Sequence, residues 1–289
     1  MSHPFVPSNT HFNGARIPRL MLFDLEHVGH HAIYISHLIR YWNSNQLSGE
    51  LIIVVTPTFL DCHTSVVSLA KQTLKENVVF QPISMEEEEK LRSLDEKPTQ
   101  LFRRFQEMAI LRKYVRQWNV DYCSIMFIDK LQIPFVFGLS PSCQFSGIYF
   151  RPSFHYCTFS HHTTTGGWKE KIQHLREKVF IARLVENPRV HKLLCLDPFV
   201  SKSINTLFKT EKAITLPDPV EACTTESVNP ESLYQQLGIE PQRKVFLVFG
   251  ELSGRKGLAK TLEALETIEQ VHCEQICLLI VGRIEKKKN

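Results

Sequence analysis

The chain has 289 residues, 43% of them hydrophobic and 22% charged, with a formal net charge of +4. That length holds two α/β domains or one large one, and the mild charge, with no dense basic stripe, argues against a nucleic-acid-binding protein. No apolar run approaches the ~18–20 residues of a membrane span, and the polar stretch from Met1 to Arg19, with Pro4, Pro7 and Pro18, lacks the apolar segment of a signal peptide, so a cytoplasmic protein is expected.

In chain order, strand-like apolar runs alternate with segments of helical period. Leu20 to Leu25 predicts a first strand. A loop holding Gly29 follows, then a helix from about His31 to Trp42. Further strands are predicted at Leu51–Thr56, Asn77–Ile83, Tyr122–Ile128, Phe145–Phe150 and Lys192–Leu196. The acidic patch Glu86–Glu89 reads as a solvated helix start. Between Leu101 and Trp118, the residues Leu101, Phe105, Met108, Leu111, Val115 and Trp118 share one helical face; between Trp168 and Glu186, so do Ile172, Leu175, Val179 and Ala182. This β–α alternation predicts an α/β fold, a parallel sheet covered on both faces. The eight cysteines are scattered without a C-x-x-C, and Cys123, Cys195 and Cys277 sit inside apolar runs, as reduced core thiols do. No metal site is expected.

Two prolines in Leu216-Pro217-Asp218-Pro219 end regular structure. The boundary is placed there, giving domains 1–217 and 218–289. The second restarts the pattern with a helix near Pro230–Leu237, a strand at Lys244–Phe249, a helix after Gly257 that buries Leu258, Leu262 and Leu265, and a strand at Ile276–Val281. Two strands are too few for a doubly wound sheet, so this domain reads as incomplete, with an open edge on its last strand.

The densest chemical signal is Val245-Phe246-Leu247-Val248-Phe249-Gly250-Glu251-Leu252-Ser253-Gly254-Arg255-Lys256-Gly257. It predicts a strand, a short polar loop and a helix whose N-terminus carries two cations. Backbone N–H groups at such a terminus attract an anion, and Arg255 and Lys256 reinforce the field. The expected guest is a phosphate or diphosphate held by Gly250, Gly254, Arg255 and Lys256; the bland alternative is an exposed turn. Gly29 and His30, in the loop after the first strand, lie at the sheet edge where open α/β folds bind ligands, against the simpler reading of a helix cap. Asp129, after the fourth strand, is a candidate catalytic carboxylate or an ordinary turn residue. His161 and His162 lie in a polar loop that can shape a pocket or merely be solvated. Arg103, Arg104, Arg112, Lys113 and Arg116 on one helix form either a solvated basic face or a peripheral membrane contact.

The segment Gly250-Glu251-Leu252-Ser253-Gly254-Arg255-Lys256-Gly257, then Leu262-Glu263-Ala264-Leu265 and Leu279-Ile280-Val281-Gly282, resembles the GT-B glycosyltransferases of the large retaining group that includes glycogen-synthase-like and lipid-glycosylating enzymes (group 1, family 4). The loop His27-Val28-Gly29-His30 and the linker at Leu216-Pro217-Asp218-Pro219 fit the same pattern. The resemblance implies a Rossmann-like acceptor-side domain and a donor domain, with sugar transfer from a nucleotide-activated donor to a glycan, lipid or small-molecule acceptor. It implies no metal and no cofactor beyond the nucleotide-sugar substrate, with Lys256 on the donor diphosphate. The chain departs from the family in carrying Glu251 where Arg is common. The family's E-x7-E sugar-binding motif belongs beyond Asn289; the spaced pairs Glu88 with Glu96 and Glu266 with Glu274 are coincidental. The expectation is thus a glycosyltransferase impaired as this chain. The alternatives are a non-catalytic remnant or acceptor-binding module, and, more weakly, a sugar-nucleotide hydrolase or epimerase.

Overall fold

The computed structural model describes residues 11–12, 15–72, 75–96, 98–150, 168–219, 229–252 and 257–284. The chain divides into two compact units, Met1–Val220 and Glu221–Asn289.

The first unit opens with a small antiparallel ribbon, β1 (His11–Phe12) and β2 (Ala15–Arg16). Seven parallel strands follow: β3 (Arg19–Phe23), β4 (Glu50–Val55), β5 (Val78–Pro82), β6 (Tyr122–Ile125), β7 (Gln144–Tyr149), β8 (Val190–Cys195) and β9 (Ala213–Thr215). Their order is β5-β4-β3-β6-β7-β8-β9. The helices are α1 (His31–Ser44), α2 (Pro57–Cys62), α3 (Thr64–Lys71), α4 (Met85–Ser93), α5 (Gln100–Gln117), a 3-10 turn (Ile128–Leu131), α6 (Gln132–Val136), α7 (Trp168–Glu186) and α8 (Pro198–Phe208).

The pleat explains why β4 reads as continuous Leu-Ile-Ile-Val-Val. Successive side chains point to opposite faces, and both faces are covered. Ile52 and Val54 join one core with Leu111, Trp118, Phe180 and Ile204. Leu51, Ile53 and Val55 join the other with Ile35, Ile39, Phe59 and Val66. α4 starts on a capping box, Ser84 and Glu87 bonding each other's backbone N–H, as the acidic patch suggested. At the β7–β8 pair the register shifts, and there Ser146 Oγ accepts the Lys192 N–H at 3.0 Å.

The structure corrects two helix faces. On α7 the buried side is Glu177, Phe180, Ile181 and Leu184, while Ile172, Leu175 and Val179 face outward. The charge of Glu177 hides the inner stripe from a reading of periodicity; its carboxylate accepts the Tyr149 hydroxyl, which makes its burial tolerable. On α5, Met108, Leu111 and Val115 are buried as expected, but Leu101 is exposed.

The second unit contains α9 (Pro230–Leu237), β10 (Lys244–Leu252), α10 (Leu258–Glu266), α11 (Gln270–Cys273) and β11 (Ile276–Ile284). β10 and β11 are parallel, each running three residues past its expected end. Gly250 and Gly282 are register partners, Gly250 has φ +98°, and a Cβ on Gly282 would collide with the Gly250 carbonyl. Among the described residues of this unit none is buried, and Leu262 is exposed rather than inward, because two strands and short helices enclose no interior.

Candidate functional site

In the seven-stranded sheet the order reverses at β3 and β6, and open α/β sheets bind ligands outside the carboxyl ends of strands at such a switch point. Two loops meet there, Asp24–His30 after β3 and the turn around Ile128 after β6.

Asp24 is 2% exposed. Its N–H donates to Val54 O at 3.0 Å, continuing the ladder by one residue. Its Oδ1 accepts the Glu26 N–H at 3.1 Å, and its Oδ2 lies 2.7 Å from His31 Nδ1. Burial pushes the Asp24 carboxyl above its usual range, and the His31 contact only partly offsets that. His31 can reach Asp24 because Gly29, at φ +80°, turns the chain sharply into α1, and His31 occupies the helix's first turn. Asp24 thus engages the imidazole through Nδ1.

Aromatic rings frame this histidine. Its centroid is 5.8 Å from Phe127 and 6.5 Å from Phe150, and those two rings are 4.9 Å apart. Tyr34 stands edge-on to Phe150 at 5.7 Å and donates its hydroxyl to Asp218. Burial, with Asp218 adding to it, raises the Tyr34 phenol, so it stays a donor.

Beside the dyad lies a charged group. Glu26 pairs with Lys130, whose ammonium sits 4.9 Å from the Phe127 centroid. Arg103 approaches Glu26 at 3.7 Å and Glu107 at 2.9 Å, and Arg104 grips both oxygens of Glu107 at 2.9 Å. Burial alone would raise the Glu26 carboxyl; the Lys130 charge, aided by Arg103, overrides it and holds Glu26 below its ordinary range. A recess lined by Asp24, Glu26, Glu107, Phe127 and Lys130 opens here.

Of the residues singled out by sequence, Gly29 and His30 sit at this edge, with His30 exposed at the start of α1. Asp129 lies in the adjoining 3-10 turn, where its Oδ2 accepts the Phe150 N–H at 3.0 Å and ties down the end of β7. Gly250 lies on β10, which ends at Leu252, and Gly257 adopts φ +72° at the start of α10. Gly254, Arg255 and Lys256 lie outside the described residues, as do His161 and His162. On α5, Arg103, Arg104 and Lys113 are engaged with Glu107 and Glu87.

Sequence reading passed over Asp24, Glu26, Lys130 and Glu107. The available signal was two carboxylates at alternate positions just past an apolar strand. Among the described residues, no group of three or more His, Cys, Asp or Glu side chains is arranged to hold a metal ion.

No family model and no curated protein matches the chain. Solved structures do. Sucrose-phosphate synthase from Thermosynechococcus elongatus is 13% identical, with a TM-score of 0.57, over 94% of this chain and 64% of that one. WaaG, a glycosyltransferase involved in lipopolysaccharide biosynthesis, is 12% identical with a TM-score of 0.53, over 93% and 65%. HepE of Anabaena, solved in complex with UDP-glucose, is 11% identical with a TM-score of 0.52, over 92% and 60%. The chain thus spans less than two thirds of the length of each of these three. Its fold is α/β and is shared with GT-B glycosyltransferases.

Proposed function

We propose that the chain is a glycosyltransferase component that handles a nucleotide-activated sugar, of the retaining group 1, family 4 kind. The observation that carries this reading is the buried Asp24–His31 pair at the carboxyl edge of β3, in a fold shared with glycosyltransferases. Asp24 fixes the imidazole, and Nε2 then accepts a hydrogen bond from the acceptor hydroxyl among Phe127, Phe150 and Tyr34. Gly29 and His30 border the acceptor, which is a glycan, lipid or small molecule. In the second domain, Gly250, Gly254, Arg255 and Lys256 bind the donor diphosphate, neutralising it without a metal. The bond from the anomeric carbon to the phosphate oxygen breaks with its electron pair going to the diphosphate, a bond to the acceptor oxygen forms, and the acceptor's proton passes to His31 Nε2.

The test is nucleoside diphosphate release by the purified full chain from a panel of UDP-, GDP- and ADP-sugars, with and without acceptor mixtures. Release that depends on acceptor and falls in both His31→Ala and Lys256→Ala supports transfer. Release of free sugar without acceptor selects the hydrolase reading. Absence of both turnover and calorimetric binding for every donor overturns the proposal.

A second reading, an acceptor-binding module that acts with a partner, is favoured by one observation. Phe246, Leu247, Phe249, Ile280 and Val281 on the β10–β11 sheet are all exposed, as in a sheet that needs further cover.

A further inference from the structure

We infer that Asp129 is a positioning residue: it holds Phe150 beside Phe127 and His31, and the aromatic wall so formed selects an acceptor that carries a ring next to its reacting hydroxyl. The inference rests on the glycosyltransferase reading and narrows it, from any hydroxyl compound to one with a flat ring face. It starts from the end of β7. The last register pairs of that strand are Gly147 with Ile125 of β6 and Tyr149 with Cys195 of β8. Phe150 lies one residue further on, past the ladder, and its N–H donates to Asp129 Oδ2 at 3.0 Å. Phe127 stands two residues before Asp129, in the same connection after β6. That turn is seated on β7 a second time. Ile128 packs on Gly147 so closely that a Cβ there would meet Ile128 Cδ1 at 2.6 Å. One hydrogen bond and one close packing contact therefore fix Phe127 and Phe150 relative to each other, with ring centroids 4.9 Å apart.

This wall adjoins the dyad. The His31 ring lies 5.8 Å from Phe127 and 6.5 Å from Phe150, within 24° of parallel to the latter, and Tyr34 stands edge-on to Phe150 at 5.7 Å. All four rings are half-buried, so each shows part of its surface. His31 belongs to α1 and is placed by Asp24, whereas Phe150 is placed by Asp129; neither hydrogen bond involves the other pair. Asp129 does not take the acceptor's proton itself, because Oδ2 is committed to the Phe150 N–H and Oδ1 is buried. A fixed set of aromatic faces beside a hydrogen-bonding nitrogen suits a ring better than a chain. The negative face of an aromatic ring attracts the C–H groups of a pyranose or the edge of another aromatic ring. A rigid guest also loses few rotamers on stacking, where a flexible alkyl alcohol loses many. The guest is a sugar ring or a phenol, with its hydroxyl at His31.

The experiment is saturation-transfer NMR of the full chain, without donor, against methyl β-D-glucopyranoside, phenol and, as the ringless control, 1,6-hexanediol. The expected result is transfer to one ring probe or both and none to hexanediol; the tighter-binding probe tells a glycan acceptor from a phenolic one. Phe150→Leu, which keeps bulk and loses the ring, should weaken binding roughly three- to tenfold. Asp129→Ala should weaken it as much. Asp129→Asn, whose amide oxygen still accepts the Phe150 N–H, should bind like the native chain, with folding of every variant checked by circular dichroism. A carboxylate needed for its charge would make Asn as damaging as Ala, and that result overturns the proposal. So does binding of hexanediol as tight as that of the rings, binding of no ring probe, or ring binding unchanged in Phe150→Leu or Asp129→Ala. If Asp129→Ala does not fold, the Asp129→Asn and Phe150→Leu proteins decide. Probe binding without diphosphate release from any donor would sink the transferase reading alone, and diphosphate release without probe binding would sink this one alone.

Discussion

Asp24 Oδ2 and His31 Nδ1 lie 2.7 Å apart across the turn that joins the first strand of the sheet to its first helix. The carboxylate fixes which ring nitrogen faces the site, so its charge should matter more than its shape. Asp24→Asn keeps an oxygen able to accept the Glu26 N–H, and the protein should fold. Turnover, measured as nucleoside diphosphate release, should nevertheless fall on the order of 10²-fold, with His31→Ala at least as damaging. A fully active Asp24→Asn protein would remove the dyad from the reaction.

Acid should loosen the same corner of the molecule. The Glu26 carboxyl lies below its ordinary value because Lys130 and Arg103 outweigh its burial; Glu87 lies below for the same kind of reason, with Lys113 as its partner. A carboxyl with a depressed folded-state pKa binds fewer protons in the native chain than in the unfolded one through the window below the ordinary value of 4.5. Its stabilising contribution is present above that pH and is lost as pH falls through the folded-state value. Urea midpoints followed downward in pH should therefore decline, and Glu26→Gln should flatten the decline.

Gly147 is required by its neighbour. A Cβ there would come within 2.6 Å of Ile128 Cδ1 and 2.8 Å of Ile128 Cβ, so the 3-10 turn beside the site would have to move. Gly147→Ala should cost about 1–3 kcal/mol by overpacking. Adding Ile128→Ala should relieve part of the cost, and chemical denaturation of the two variants would show it.

The two sides of α7 should answer oppositely to truncation. Phe180→Ala opens a hole in a fully buried site and should cost about 3–5 kcal/mol. Leu175→Ala, on the outer side, should stay within about 0.5 kcal/mol. Comparable losses at both positions would mean that the outer stripe is packed inside the protein.

Strand periodicity carried most of the first unit, because fully buried parallel strands such as Leu51–Val55 leave an unmistakable apolar run. β9 escaped notice: Ala213-Ile214-Thr215 is too short to stand out, and it becomes a strand by pairing with Leu193–Cys195. Helix faces were legible on α5, where Met108, Ile110, Leu111, Tyr114 and Val115 outweigh the buried Glu107, and illegible on α7, where a hydrogen-bonded glutamate sits at the middle of a shorter inner stripe and a second apolar stripe faces outward. The loop after the first strand was legible through Gly29. Its chemistry was not, because Asp24, Glu26 and Lys130 are ordinary residues in sequence and acquire meaning only when β3 and β6 become neighbours.

That neighbourhood has a bearing on how the chain is made. The first of the seven strands to be synthesised, β3, ends up inside the sheet between β4 and β6, and its β6 partner begins at Tyr122, opposite Leu20. β3, β4 and β5 therefore leave the ribosome while the other edge of β3, Leu20 to Phe23, has nothing to pair with. In that interval the nascent protein offers an open apolar strand edge at what will become the interior of the sheet. Pausing within residues 83–121 prolongs the exposure, so the yield of folded protein depends on the speed of translation through that stretch.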